Sequence, residues 1–309
     1  MGAWLESLVP WGTEVIVWAQ SLSNDGLDTV FMFFTFLGYE QFYLVVLPLV
    51  YWSIDKEVGI RLGFISMFSA WVNSAIKYLF AIPRPADPRI RVPLPESTPS
   101  FPSGHAQNAV VNWGYLAYRA RSLAFWLVAT LAILGISLSR VFLGVHYPQD
   151  IIAGWLIGLL LLVVYVRAEP PVSRWLGRQT MGVQLALAVF LPLAMIFLHP
   201  ADAQGRYPAD AAVTPMSALL GLGVGIIMER ARVRFQVEGT WWRRTIRYLV
   251  GLLVVAAFYV GPKLLIPEQL GHSLGTILHF VRYALLGWVV AFLGPWIFVR
   301  LRLADRARD

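Results

Sequence analysis

Two neighbouring stretches limit what this chain can fold into. "LAFWLVATLAILGISL" (residues 123–138) and "IIAGWLIGLLLLVVYV" (residues 151–166) each run for sixteen residues without a charge. With their flanks they reach the roughly 20 residues needed to cross a bilayer as a helix. In hydrocarbon every backbone N–H and C=O must be paired within the protein, so a continuous apolar run of this length reads as a spanning helix. Similar runs mark spans near 28–53, 58–80, 104–118, 123–142, 149–166, 181–198, 214–228, 247–262 and 283–299, of which 214–228 is the shortest signal. The expected fold class is therefore all-α: a polytopic transmembrane helical bundle of about nine spans. Residues 4–20 are amphipathic and are expected to lie along the interface. Composition agrees, with 58% hydrophobic and 14% charged residues, against about 25% charged in soluble domains.

Cysteine is absent, which excludes a disulfide framework, a thiol nucleophile and a cysteine-based metal site. "MGAWLESLVPWGTEV" has no basic start and carries Glu6 and Glu14, so a cleaved signal peptide is not expected. Glu6 also stands where a myristoylation motif needs Ser or Thr. The net charge of +7 has an explanation other than nucleic acid, which is not expected as a partner. Nine spans place seventeen of the 25 Lys and Arg on one side, from Lys56 and Arg61 to Arg306 and Arg308, and eight on the other. The positive-inside rule makes the richer side cytoplasmic. The C-terminus is then cytoplasmic, and the N-terminus lies outside if residues 4–20 do not cross.

No internal repeat of 20–50 residues recurs, which argues against a solenoid. "IPRPADPRIRVPLPESTPSFPSGH" (82–105) holds seven prolines and must be a loop, on the outer side. A polar linker, "RAEPPVSRWLGRQ", follows Val166 on the inner side. The expected division is a core over residues 1–168 and a four-span extension over 169–309.

Ionisable residues at membrane depth cost a few kcal/mol and so point to function. The outer ends of the core spans gather Lys77 and Arg84 from "KYLFAIPRP", Ser103, Gly104 and His105 from "PSGH", and Ser139, Arg140, His146 and Asp150 from "SRVFLGVHYPQD". Singly, each reads as a snorkelling anchor or a helix-end residue. Jointly they put two of only five histidines beside three cations on one face, with no carboxylate in the motifs to neutralise all three. Arginine forks and a lysine charge suit phosphate oxygens. Ser103 and Gly104 before an apolar run suggest a helix N-terminus with free N–H groups for an anion, and glycine allows close approach. Asp150 follows His146 by one helical turn, with Pro148 in the first turn. A carboxylate on one imidazole nitrogen leaves the other free to attack, and His105 can protonate a leaving alkoxide. No motif gathers His and carboxylates at metal-ligand spacing, so neither a metal nor another cofactor is expected.

The other histidines, His199, His272 and His279, read as outer-loop or surface residues, and the 13 tryptophans, Trp11, Trp52, Trp241 and Trp242 among them, mostly as interface anchors. "GLGVG" (221–225) reads as a small-residue helix contact.

The pattern Lys77–Arg84–Pro85, Pro102–Ser103–Gly104–His105, Ser139–Arg140–His146–Asp150 resembles the three-part signature of the type 2 phosphatidic acid phosphatase superfamily, K-x6-RP, PSGH and SR-x5-H-x3-D. The resemblance implies an acid-phosphatase/haloperoxidase-like helical core, His146 as nucleophile oriented by Asp150, and His105 as acid. It also implies a phosphate held by Lys77, Arg84, Ser103, Gly104 and Arg140, with no metal. "EQFYLVVLPLVYW", "VGIRL" and "WVNSAIKYLFAIPRP" are similar to the membrane glucose-6-phosphatase and sphingosine-phosphate phosphatase branches. Residues 169–309 carry no likeness usable for substrate. An anion site at bilayer-edge depth between apolar spans points to a lipid phosphate or diphosphate as substrate. A sugar phosphatase, a lipid phosphotransferase and a non-enzymatic lipid-phosphate transporter are the alternatives.

Overall fold

A computed structural model of the chain describes residues 7–265 and 272–307. Glu6, Arg308 and the side chains of Lys263 and His272 lie outside that set. The described residues form helices α1 (Val9–Ser21), α2 (Asp25–Phe36), α3 (Glu40–Leu49), α4 (Lys56–Phe80), α5 (Gly104–Ala120), α6 (Leu123–Phe142), α7 (Pro148–Gly177), α8 (Met181–Leu198), α9 (Asp210–Arg232), α10 (Trp241–Leu265), α11 (His272–Trp288) and α12 (Gly294–Arg300). Wider π-helical turns extend α3 over Val50–Ile54 and join α11 to α12 over Val289–Leu293. One isolated bridge, Phe235 to Arg306, is the extent of β pairing among the described residues.

Among the described residues six helices are long and apolar enough to cross a membrane, and a seventh span results if α2 and α3 count together. The chain is an integral membrane protein. The expected spans at 58–80 and 104–118 are helical, as α4 and α5, but fall short in apolarity because Ser69, Asn73, Ser74, Lys77, Gln107 and Asn112 are buried within them. The expected span at 28–53 is not straight: α2 and α3 meet at a bend of 57°. At the bend stands Gly38, a poor helix former, where a Cβ would collide with the His105 ring. The linker after Val166 is also not a loop, since α7 continues through Pro170 and Pro171 to Gly177. The carbonyls freed by two missing N–H groups can be met by water at a helix end outside the apolar stretch.

The chain forms two compact units: Met1–Tyr43, Val72–Ala168 and Pro200–Arg206 make the first, and Leu44–Trp71, Glu169–His199 and Tyr207–Asp309 the second. In the first unit, Phe31 packs on Phe142 with ring centroids 4.3 Å apart, and Ile16, Ala106, Val141, Tyr147 and Ile151 form an apolar cluster. Gly154 and Gly158 bring α7 against α5, since a Cβ at either would lie 2.8 or 2.7 Å from the carbonyl of Ser103 or Gln107. The Gln20 amide donates to the carbonyls of Arg91 (2.8 Å) and Phe142 (2.9 Å), tying α1 to the proline-rich loop.

The second unit has a larger apolar core, including Tyr51, Trp52, Ile60, Leu222, Phe235, Leu286 and Phe298. Trp52 is not an interface anchor: it is fully buried, and its indole N–H donates to Val290 O at 2.9 Å while Tyr51 donates to Ala291 O at 3.1 Å. Both acceptors lie in the π turn, where regular i→i−4 pairing is lost. Trp11, Trp241 and Trp242 are exposed, as anchors would be. His199 follows α8 in the connecting loop, where it is buried against Trp71. Gly221 and Gly225 press α9 onto α11 and its π turn, where a Cβ on Gly225 would lie 2.6 Å from that of Ala291.

Candidate active site

All eight site residues read from the sequence fall in the first unit. α4 ends in Lys77, the loop 81–103 carries Arg84, α5 begins after Ser103, α6 ends near Arg140, and a tight turn presents His146 just before α7. Gly144, at φ +70°, makes that turn, and a side chain there would be strained.

His146 is 1% exposed. Its Nδ1 lies 3.2 Å from Asp150 Oδ2, which also accepts from Ser100 Oγ (2.5 Å) and the Tyr147 N–H (3.0 Å). Three donors on one oxygen fix the carboxylate, and the carboxylate fixes the imidazole with Nδ1 protonated, leaving Nε2 as the free base. Nε2 faces Arg84 Nη1 at 3.2 Å. Burial, followed by the charges of Lys77, Arg84 and Arg140, holds His146 well below its ordinary pKa, so the ring is neutral at pH 7 and able to act as a nucleophile.

Lys77 and Arg84 are anchored by carbonyls, and Arg140 by a hydroxyl. Lys77 Nζ donates to Pro99 O (2.5 Å) and Ser100 O (3.0 Å). Arg84 donates to Thr98 O (2.7 Å), Val145 O (2.7 Å), Thr98 Oγ1 (3.0 Å) and Pro99 O (3.4 Å). Arg140 is fully buried and donates to Thr35 Oγ1 at 2.5 Å. Ser103 caps α5, its hydroxyl accepting from Ala106 N at 3.4 Å, and its own N–H donates to Asp150 O at 3.0 Å. A Cβ on Gly104 would lie 2.9 Å from Asn73 Oδ1, so only glycine fits at this helix start without moving Asn73. Asn73 in turn donates to Gln107 at 2.9 Å. His105 packs edge-on against Tyr39, centroids 5.0 Å apart, and its Nε2 is buried with no hydrogen-bond partner among the described residues. It lies within electrostatic reach of Arg140, Arg84 and Lys77.

Sequence reasoning missed four partners. Glu96 pairs with both Arg84 Nη2 (2.6 Å) and Arg140 Nη2, so the carboxylate absent from the motifs comes from the loop. Ser100 orients Asp150, Thr98 anchors Arg84, and Thr35 anchors Arg140. None sits at a motif position: Glu96, Thr98 and Ser100 lie in a loop without periodicity, and Thr35 is an ordinary position on α2. Among the described residues no group of three or more His, Asp or Glu is placed to hold a metal. A dry cradle of three cations and a helix N-terminus around a neutral, oriented imidazole can bind a phosphate and stabilise charge developing on it.

Comparison with known proteins gives this geometry a lineage. The model of the PAP2 superfamily matches residues 59–173, and that of the "PAP2 superfamily phosphatase, transmembrane extension" matches 213–306. The second match falls within the stretch that carried no usable likeness from its sequence alone. The chain is 26% identical over 218 residues to a dihydrosphingosine 1-phosphate phosphatase of Schizosaccharomyces pombe, covering 65% of this chain and 52% of that protein. It is 27% identical over 333 residues to glucose-6-phosphatase 3 of Homo sapiens, covering 91% of this chain and 93% of that one. The chain thus spans about half the length of the first of these relatives. A solved PAP2-type phosphatidylglycerolphosphate phosphatase from Bacillus subtilis aligns over 53% of this chain and 87% of its own, at 22% identity and a TM-score of 0.48. With both its signature-bearing segment and its extension matched in order, the chain belongs to the PAP2 superfamily.

Proposed function

We propose that this protein is a membrane phosphatase that hydrolyses a lipid phosphate or diphosphate at the extracytoplasmic face through a phosphohistidine on His146. The observation that carries the reading is the buried His146–Asp150–Ser100 chain, which aims a neutral Nε2 into a cluster of three cations. Nε2 attacks phosphorus, the P–O bond to the leaving alkoxide breaks, and the proton on His105 passes to that oxygen. His105, deprotonated by the first step, takes a proton from water, whose oxygen attacks phosphorus; the P–N bond breaks, returning neutral His146 and protonated His105 and releasing phosphate. Lys77, Arg84, Arg140 and the α5 N-terminus hold the phosphoryl oxygens, so electrostatic work that a metal does elsewhere falls to side chains. The lipid assignment rests on a site built at the ends of spanning helices and on the sphingosine-phosphate relative.

A second reading, hydrolysis of a soluble sugar phosphate, is favoured by one finding: likeness to a glucose-6-phosphatase runs through 91% of the chain, extension included. The experiment that separates them is phosphate release by the full-length protein in detergent, over a panel of lipid and sugar phosphates with and without EDTA. Preference for a lipid phosphate, unaffected by EDTA, is expected. Preference for a sugar phosphate selects the second reading, and abolition by EDTA removes the metal-free mechanism. Labelling of a single cysteine in the Ser97→Cys protein from outside the cell tests the face; labelling from the cytoplasm reverses it.

A further inference from the structure

Glu96 divides its carboxylate between two arginines, Oε2 on Arg84 and Oε1 on Arg140. Arg84 has every N–H engaged: Nε on Thr98 O, Nη1 on Val145 O and His146 Nε2, and Nη2 on Glu96 and on Thr98. A phosphate held by both guanidinium groups must therefore take donors from Glu96. The arginines are the fixed partners in that exchange. Arg140 is fully buried on α6, and Arg84 is pinned by three backbone carbonyls, whereas the Glu96 side chain is 25% exposed on a loop without regular structure. The carboxylate can turn to water at small cost, and the guanidiniums cannot.

Given the reading of Arg84 and Arg140 as phosphate ligands, on which this inference rests, we propose that Glu96 is a built-in competitor of substrate that sets specificity for dianionic phosphate groups. A monoester phosphate with two negative charges exchanges for the single charge of a carboxylate and gains attraction to both arginines. A phosphodiester, with one charge, replaces Glu96 at no electrostatic advantage and must still expel it. Glu96 thus acts through the arginines as a filter on substrate charge and touches no reacting atom.

The test uses the full-length protein in detergent, turning over a lipid phosphomonoester, with inorganic phosphate and a dialkyl phosphate as inhibitors. In the unaltered protein, inorganic phosphate inhibits and the dialkyl phosphate does not. In Glu96→Gln, which keeps an acceptor oxygen but no charge, KM and the phosphate inhibition constant fall by about tenfold, the scale of one charge-assisted hydrogen bond. The dialkyl phosphate becomes an inhibitor, kcat stays within a few-fold, and Glu96→Asp restores the discrimination. Equal inhibition of the unaltered protein by both probes overturns the proposal without any variant. So does a Glu96→Gln protein with raised KM and lowered kcat, which would make Glu96 a support for the arginines. Failure of the underlying reading shows separately, as unchanged phosphate inhibition in Arg140→Lys.

Discussion

The two units of this chain bury charge in opposite ways. In the second unit, Glu229 is completely buried and meets Lys56 Nζ at 2.7 Å and the Phe235 N–H at 2.8 Å, while buried Arg247 donates to the carbonyls of Gln236 and Val237. The Glu229–Lys56 pair closes on itself, and Arg247 clamps two carbonyls while its buried Nε has no hydrogen-bond partner among the described residues. In the first unit Lys77, Arg84 and Arg140 share Glu96 and Asp150 among them, and an imidazole is kept neutral in their midst. Buried polarity that closes on itself is structure; buried polarity with a cationic excess around a nucleophile is a site.

That contrast can be broken most severely at His146. His146→Ala should lower phosphate release by on the order of 10⁴-fold or more while the protein stays folded; substantial residual activity would remove the nucleophile from the first unit. Asp150→Asn should cost on the order of 10³-fold through loss of the tautomer and orientation it enforces, read as kcat with the thermal midpoint as control. Arg140→Lys should lower kcat/KM by about 10²-fold, since an ammonium cannot reproduce a guanidinium fork. On the other side, Glu229→Gln should destabilise by about 2 kcal/mol, seen as a lower denaturation midpoint, with kcat nearly intact. Gly225→Ala should cost about 1–2 kcal/mol by forcing α9 from the π turn at Ala291, again without effect on KM. Loss of catalysis in either of these last two variants, at a temperature where they remain folded, would erase the distinction between the units.

The sequence showed the helices and the motif residues for different reasons. Hydropathy reports mean apolarity, so it found α6, α7 and α8 but could not see the 57° bend between α2 and α3, where Gly38 sits close against His105. It also overrated α4 and α5 as apolar spans, because their buried Asn73, Lys77 and Gln107 serve the site and not the lipid. Trp52 resembled a belt residue because its burial depends on Phe298, 246 positions later in the chain, packed edge-on at 5.3 Å. His146 and Asp150 were legible because they stand at fixed spacing in one motif, although His146 precedes α7 and does not lie on it. Glu96, Ser100 and Thr98 were not, because their places follow from how a proline-rich loop happens to wrap.

That loop has a consequence for how such a site can change over evolutionary time. Seven prolines remove seven N–H donors, so the segment is a ribbon rich in unpaired carbonyls, and Lys77 and Arg84 cap those of Thr98, Pro99 and Ser100. Lys77 and Arg84, the proposed phosphate ligands, are thus also the scaffold on which the loop is moulded. Residues 96–103 are committed to that mould. Ahead of them, the stretch 86–95 is tied to α1 and α2 through the exposed pairs Arg89–Glu14 and Arg91–Asp28, away from the carbonyls that Lys77 and Arg84 cap, so changes in it would leave that mould in place.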